Sequence, residues 1–166
     1  DALGAGRLLG MIQPDPARGG QRLCRVGCAG RITAFSETDD GRMLIVLTGV
    51  CRFEVGEELA DQRGYRRVHA GWTRYAADLE AAAAFALRTR ELLDRLGRYS
   101  RAKGLEPDLE GLKALAPESL VSALAMNLPF APAEKQALLE APTPAERAEL
   151  LAALLALGAT LDDASG

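Results

Sequence analysis

Three cysteines, Cys24, Cys28 and Cys51, and one histidine, His69, are the residues of this chain best suited to covalent or metal chemistry. An odd cysteine count in 166 residues does not suit a disulfide scaffold, which would be denser and even-numbered. Cys24 and Cys28 are four apart, unlike the C-x-x-C gap of redox and zinc pairs. On a strand this spacing puts both on one face, and two small buried residues beside Gly27 and Gly30 are the simpler reading. His69 would need carboxylates or cysteines to complete a metal site, and none is suggestively spaced, so no metal or cofactor is expected. A nucleophile pair of His69 with Cys28 or Cys51 stays open on residue types alone. Strand alternation, however, turns His69 away from Val68 and onto a polar face. Ser119 and Ser122 have no histidine near them in sequence, which leaves a serine hydrolase without support. Turn chemistry accounts for Asp40, with Glu37 and Asp39 solvated beside it. Nothing in this inventory reads as an enzyme.

Charge narrows the partners. A net charge of -3 and a pI near 5.3 argue against a nucleic-acid surface, which is normally basic. Arg63, Arg66 and Arg67 form a local basic cluster that reads as solvated strand-end arginines. The longest apolar run, residues 150–157, is shorter than half a bilayer span, and no signal-peptide pattern is present. No membrane association is expected, and a cytoplasmic address is the default these features leave. Because residue 1 is Asp and not Met, the expectation is that the natural N-terminus lies upstream.

The elements that position these residues change character near residue 76. Residues 7–13 read as a buried strand, followed by a Pro- and Gly-rich loop at 14–20. Residues 23–30 are extended but broken by Gly27 and Gly30, as at bulges or barrel corners. Residues 31–37 and 43–48 form a hairpin around Asp40-Gly41. Its second arm, Met43-Leu44-Ile45-Val46-Leu47, is apolar on both faces and is therefore expected to be covered on both. Gly49 interrupts, residues 51–55 alternate cleanly, and residues 65–72 make a last strand.

From Leu79 onward apolar residues recur at helical spacing, including Ala82, Phe85, Leu92 and Leu96. A short helix is expected at 109–115, and one at 119–127 opened by Pro117-Glu118. Pro132 opens a helix to Glu140. Thr143-Pro144-Ala145-Glu146 is a capping box for a helix from 145 to 157, stopped by Gly158, with residues 162–166 as a frayed tail. The expected class is α+β: a small β-barrel over residues 1–76 and an α-helical bundle over 77–166.

Val26-Gly27-Cys28-Ala29-Gly30-Arg31-Ile32, followed by Thr48-Gly49-Val50-Cys51-Arg52-Phe53, resembles the N-terminal substrate-binding domain of ATP-dependent Lon proteases. Asn127-Leu128-Pro129-Phe130, the run from Glu134 to Glu140, and Arg147 extend the resemblance over residues 7–157. It implies a PUA-like barrel followed by a helical bundle, and a stand-alone module that recognises polypeptides. The family's first barrel strands lie upstream of Asp1, so the barrel is expected to be incomplete or closed by a partner. No Gly-x-x-x-x-Gly-Lys-Ser/Thr phosphate loop is present, and the chain is too short to hold Lon's Ser–Lys proteolytic domain.

The leading expectation is non-catalytic binding of unfolded or hydrophobic segments, in the service of a protease or chaperone. Its site would be a groove between barrel and helices lined by Phe53, Trp72, Tyr75, Phe85 and Phe130, assisted by an exposed strand edge. Packing of Trp72 and Tyr75 at the seam is the plainer alternative for that pair. An RNA-binding PUA-like module and a small cysteine-dependent enzyme are the competing readings. Oligomeric state and client identity are left open.

Overall fold

Asp40 and Gly41 sit at the tip of the longest strand pair, where backbone geometry leaves little choice of residue. Gly41 has φ +76°, a left-handed conformation that costs glycine nothing. Thr38 N–H donates to Arg42 O and Gly41 N–H to Thr38 O, both at 2.8 Å, closing the turn. The computed structural model describes residues 6–15, 19, 22–62, 64–80, 85 and 87–163. Two compact units divide the chain, Asp1–Ala81 and Ala82–Gly166.

The first unit holds four antiparallel strands in sequential order: β1 (Leu8–Met11), β2 (Val26–Glu37), β3 (Met43–Gln62) and β4 (Tyr65–Gly71). The glycine-marked breaks expected at 27–30 and 49 do not end strands. Gly30 pairs with Gly49 at a register shift, so each strand bends there and continues. β3 therefore runs for 20 residues, pairing with β2 along its first half and with β4 from Glu54 onward. The sheet is open, because among the described residues no pairing joins β1 to β4. A closed barrel is thus not what these strands form. Val26, Ile32, Cys51, Phe53 and Tyr75 are buried as the core of this unit. Tyr75 belongs to a 3-10 helix at Thr73–Leu79 that follows β4.

The second unit contains α1 (Thr89–Lys103), α2 (Leu109–Lys113), α3 (Pro117–Asn127), α4 (Pro132–Glu140) and α5 (Pro144–Asp163). Helical geometry expected from Leu79 instead begins at Thr89. Leu79 ends the 3-10 helix, Phe85 and Leu87 are non-helical, and residues 81–84 and 86 lie outside the described residues. Leu92, Leu96 and Tyr99 of α1 pack with Leu120, Leu124, Leu138, Leu151 and Leu155. α5 does not stop at Gly158, as expected, but continues to Asp163. An added Cβ at Gly158 would meet Tyr99 Cε2 at 2.5 Å, so this glycine marks close packing against a ring and not a helix end.

The helix starts follow the expected chemistry. Glu146 N–H donates to Thr143 Oγ1 at 3.2 Å, and the Thr143 hydroxyl donates to Glu146 Oε1 at 3.0 Å. At α4, Glu134 Oε2 accepts from Ala131 N–H at 2.7 Å, half of a capping box, since alanine has no side-chain acceptor. Thr143→Ala should cost about 1 kcal/mol of stability, read by urea unfolding of the chain. No measurable change would remove the cap from any role in fixing α5.

Candidate functional site

The distal half of the β2–β3 hairpin exposes more apolar surface than any other strand segment described. Phe35 is 52% exposed, Met43 51%, Leu44 62%, Ile45 43% and Val46 57%. Cross-strand pairs assign them to faces: Phe35 opposite Ile45, Ala34 opposite Val46, Ser36 opposite Leu44 and Glu37 opposite Met43. Both faces of β3 are thus apolar and open, where the sequence pattern led to an expectation of cover on both. Among the described residues, β1 pairs with β2 as far as Arg31 and β4 with β3 from Glu54 onward, so no described strand pairs along the outer edges of this half of the hairpin. Leaving these side chains in water forgoes roughly 25 cal/mol per Å² of burial, a persistent bias toward any apolar occupant.

The turn that holds the hairpin's end is charged. Arg42 Nε donates to Asp40 Oδ2 at 2.7 Å, and Thr38 Oγ1 donates to Asp40 Oδ1. The Thr38 hydroxyl, then the Arg42 backbone N–H, hold the Asp40 carboxyl below its ordinary pKa. The tip therefore keeps its charge pattern through the neutral range, in water, beside the apolar stretch.

Arg52, next in β3 to Cys51, is buried with its charge. Its Nε donates to Asp78 Oδ2 at 2.8 Å and its Nη2 to Asp78 Oδ1 at 2.7 Å, a two-pronged ion pair. Its backbone N–H also donates to Asp78 Oδ2 at 3.0 Å, and its guanidinium carbon stands 4.2 Å from the Tyr75 ring centre. Burial opposes the charge, but the Asp78 hydrogen bonds and charge outweigh it and raise the Arg52 pKa. Asp78 escaped sequence reasoning altogether. Its only signal was the need of a strand-centre arginine for a counter-charge, and nothing in sequence chooses an acid 26 residues away.

Of the candidate chemical residues, Cys28 and Cys51 are brought near each other, because Cys28 pairs with Arg52 and Ala29 with Cys51. Cys24 and Cys51 are buried, Cys28 is half-buried, and none of the three is in a disulfide. The Cys51 thiol donates to Arg52 O and Tyr75 O at 3.1 and 3.4 Å. Burial, then the Asp78 carboxylate, push its pKa up, which keeps it a thiol and unsuits it as a nucleophile. His69 is exposed on β4. Among the described residues no three His, Cys, Asp or Glu side chains converge to hold a metal ion. Of the arginine cluster, Arg66 pairs with Glu58 (Nη2 to Oε2, 2.8 Å), Arg67 is exposed, and Arg63 lies outside the described residues.

The expected aromatic set divides between the two units. In the first, Phe53 and Tyr75 are buried, and Phe53 packs its ring 5.4 Å from that of half-exposed Trp72. In the second, Phe130 is buried with its ring 5.7 Å from Tyr99. Phe85 is half-buried, lining a groove of about 320 Å³ with Leu87, Leu92, Arg95, Ala148 and Ala152.

A family model described as "ATP-dependent protease La (LON) substrate-binding domain" matches residues 5–156. The chain belongs to the Lon substrate-binding domain family. A Lon N-terminal domain protein from Xanthomonas campestris has a similar structure, with TM-score 0.55, 20% identity, and 89% of each chain covered. The N-terminal domain of Mycobacterium avium complex Lon protease is similarly close, with TM-score 0.55, 18% identity, and 90% of each chain covered. At these identities the likeness is one of fold. No curated protein matches. As a Lon substrate-binding domain, the chain is of a non-catalytic, polypeptide-binding type. Among the described residues, no helix is long and apolar enough to cross a membrane.

Proposed function

We propose that this Lon-type domain captures unfolded or apolar polypeptide segments on the distal β2–β3 hairpin and delivers them to a protease or chaperone. The observation that carries the reading is the pair of open apolar faces built by Phe35, Met43, Leu44, Ile45 and Val46. Exposed apolar patches of a few hundred Å² on a single chain mark interaction sites. The family description, a substrate-binding domain, fits that use. The PUA-like barrel implied by the resemblance would then be completed when a strand closes the open sheet.

Of the aromatic residues expected to line a site, Trp72 offers the most surface, at 45% exposure, with Phe53 packed behind it. Phe85 offers a second apolar contact within its own groove in the helical unit. Tyr75 and Phe130 would act by holding their surroundings in place.

The test is titration of a permanently unfolded, fluorescently labelled protein with the wild-type chain and with a Leu44→Asp/Val46→Asp variant. Saturable binding is expected for the wild type, weakened about tenfold in the variant, since removing two apolar anchors from an interface costs at least that. Both side chains are already exposed, so the variant's unfolding free energy should stay within about 0.5 kcal/mol of wild type. A wild type that binds no unfolded client overturns the function. A variant that binds as well as wild type removes the hairpin from it.

A further inference from the structure

We infer that the groove between α1 and α5 lined by Arg95, Arg98 and Arg101 holds an acidic stretch of a polypeptide client through its side-chain carboxylates. This rests on the polypeptide-binding reading above and names a chemical class of segment for it. The two helices run side by side in the same direction. Arg95 Nη1 donates to Ala152 O at 3.3 Å, and further along both helices Gly158 faces the Tyr99 ring. Two grooves lie along this pair. The first sets Arg88 and Arg95 against Glu91 and Glu149 and is balanced in charge. The second, of about 530 Å³, has the three arginines on one wall and Leu155, Ala156 and Ala159 on the other. No carboxylate of the described residues enters its lining, so its charge is of one sign.

The fold alone does not account for this placement. Arginines at successive i,i+3 positions of one helix repel each other and cost it stability. Arg101 and Lys103 answer the carbonyl end of α1, where the helix dipole favours cations. Arg95 and Arg98 lie more than a turn earlier, outside the reach of that effect. Arg98 and Arg101 are exposed and Arg95 is half-buried. A planar guanidinium takes a carboxylate through two parallel N–H···O bonds, which suits arginine to such an anion. Arg95 and Arg101 are about 9 Å apart along the helix axis, at 1.5 Å per residue. Carboxylates on alternate residues of an extended chain are ~7 Å apart, so two of them fit within that span.

The surrounding charge selects a peptide over a nucleic acid. Residues 88–103 carry six Arg and Lys against two Asp and Glu, whereas residues 104–166 carry three against ten. A phosphate backbone, charged at every nucleotide, would run from the groove onto a unit that is otherwise acidic and be repelled. A peptide with two or three acids close together places its charge on the groove alone, with its small side chains against Ala156 and Ala159. The chain's own Asp162 and Asp163 follow Thr160, at the end of the groove, and are the competing carboxylates.

Fluorescence anisotropy with the whole chain compares a labelled peptide of alternating Glu and Ala, about nine residues long, with its Gln counterpart. At about 50 mM salt the Glu peptide should bind at least about tenfold tighter, and at about 0.5 M salt the ratio should fall below about threefold. Arg98→Gln/Arg101→Gln should abolish the preference, since exposed pairs worth roughly threefold each make up the tenfold between them. Both side chains are exposed, so the variant's unfolding midpoint should stay that of wild type. A wild type that binds both peptides alike or neither, or a variant that keeps the preference, overturns the inference. If unfolded protein still binds wild type, capture on the hairpin stands and only the acidic groove falls. The Leu44→Asp/Val46→Asp variant should bind the Glu peptide within about twofold of wild type, and a loss of about tenfold would place the peptide on the hairpin and overturn the groove. An oligothymidylate of about nine nucleotides that outbinds the Glu peptide, and does so only with the arginines present, assigns the groove to nucleic acid and overturns the inference. So does an Asp162→Asn/Asp163→Asn variant that binds the Glu peptide at least about tenfold tighter than wild type, because the chain's own acids then hold the groove.

Discussion

Arg52→Ala is expected to lower the unfolding free energy by about 3 kcal/mol, a large fraction of the 5–15 kcal/mol typical of whole domains. The reason is what the substitution leaves behind. Asp78 loses both prongs of its partner and keeps the Arg52 backbone N–H. Its carboxylate, 22% exposed, must then be rehydrated by moving the 3-10 helix off β3 or stay under-solvated where it is. The same substitution removes the guanidinium from the Tyr75 ring, itself only 1% exposed. Arg52→Lys should be nearly as damaging, because an ammonium cannot make the parallel two-pronged bond. Urea unfolding of Arg52→Ala, Asp78→Ala and the double variant measures the coupling. The double variant should be clearly less destabilised than the sum of the singles. Additive losses, or an Arg52→Ala loss below about 1 kcal/mol, would show that the pair does not tie the 3-10 helix to the sheet.

Gly158→Ala should destabilise the helical unit by about 2 kcal/mol, opposite in sign to the usual effect of this exchange. In an open helical position alanine gains about 1 kcal/mol over glycine. Here the new methyl would fall 2.5 Å from Tyr99 Cε2 and 2.8 Å from Cδ2. Tyr99 is 2% exposed and sits in the core beside Phe130, so the ring has nowhere cheap to go. α1 and α5 must separate, or the ring must leave a good rotamer. Tyr99→Leu clears the space, so Gly158→Ala should cost less in that background than in wild type. Thermal unfolding followed at 222 nm tests this as a four-member cycle. A Gly158→Ala protein as stable as wild type would mean that the helices do not approach as closely as the structure has them.

Local chemistry was legible from residues close in sequence. The turn at Asp40-Gly41, the proline-opened helices at Pro117 and Pro132, and the cap from Thr143 to Glu146 depend on neighbours within a few positions. Their geometry therefore follows from side chains that the sequence places side by side. Glycine was the least legible residue, because its sequence signal is the same for a turn, a bend and a tight contact. Gly49 bends β3 without ending it, and Gly158 admits a ring instead of stopping a helix. The motif around Val26–Ile32 and Thr48–Phe53 pointed to the family, which a match over residues 5–156 then bears out.

The apolar run at Met43–Leu47 marks the boundary between the two kinds of knowledge. Residue order alone determined that this strand would carry apolar side chains on both faces, since alternation is a property of any extended chain. Whether those faces are covered depends on which elements pack over them, which only the tertiary structure decided. Likewise the sequence made Arg52 a charge within a buried strand, while the choice of Asp78 as its partner came from the chain's return past β4. Pairings across tens of residues are set by the competition among all possible packings, a global quantity that no local window contains.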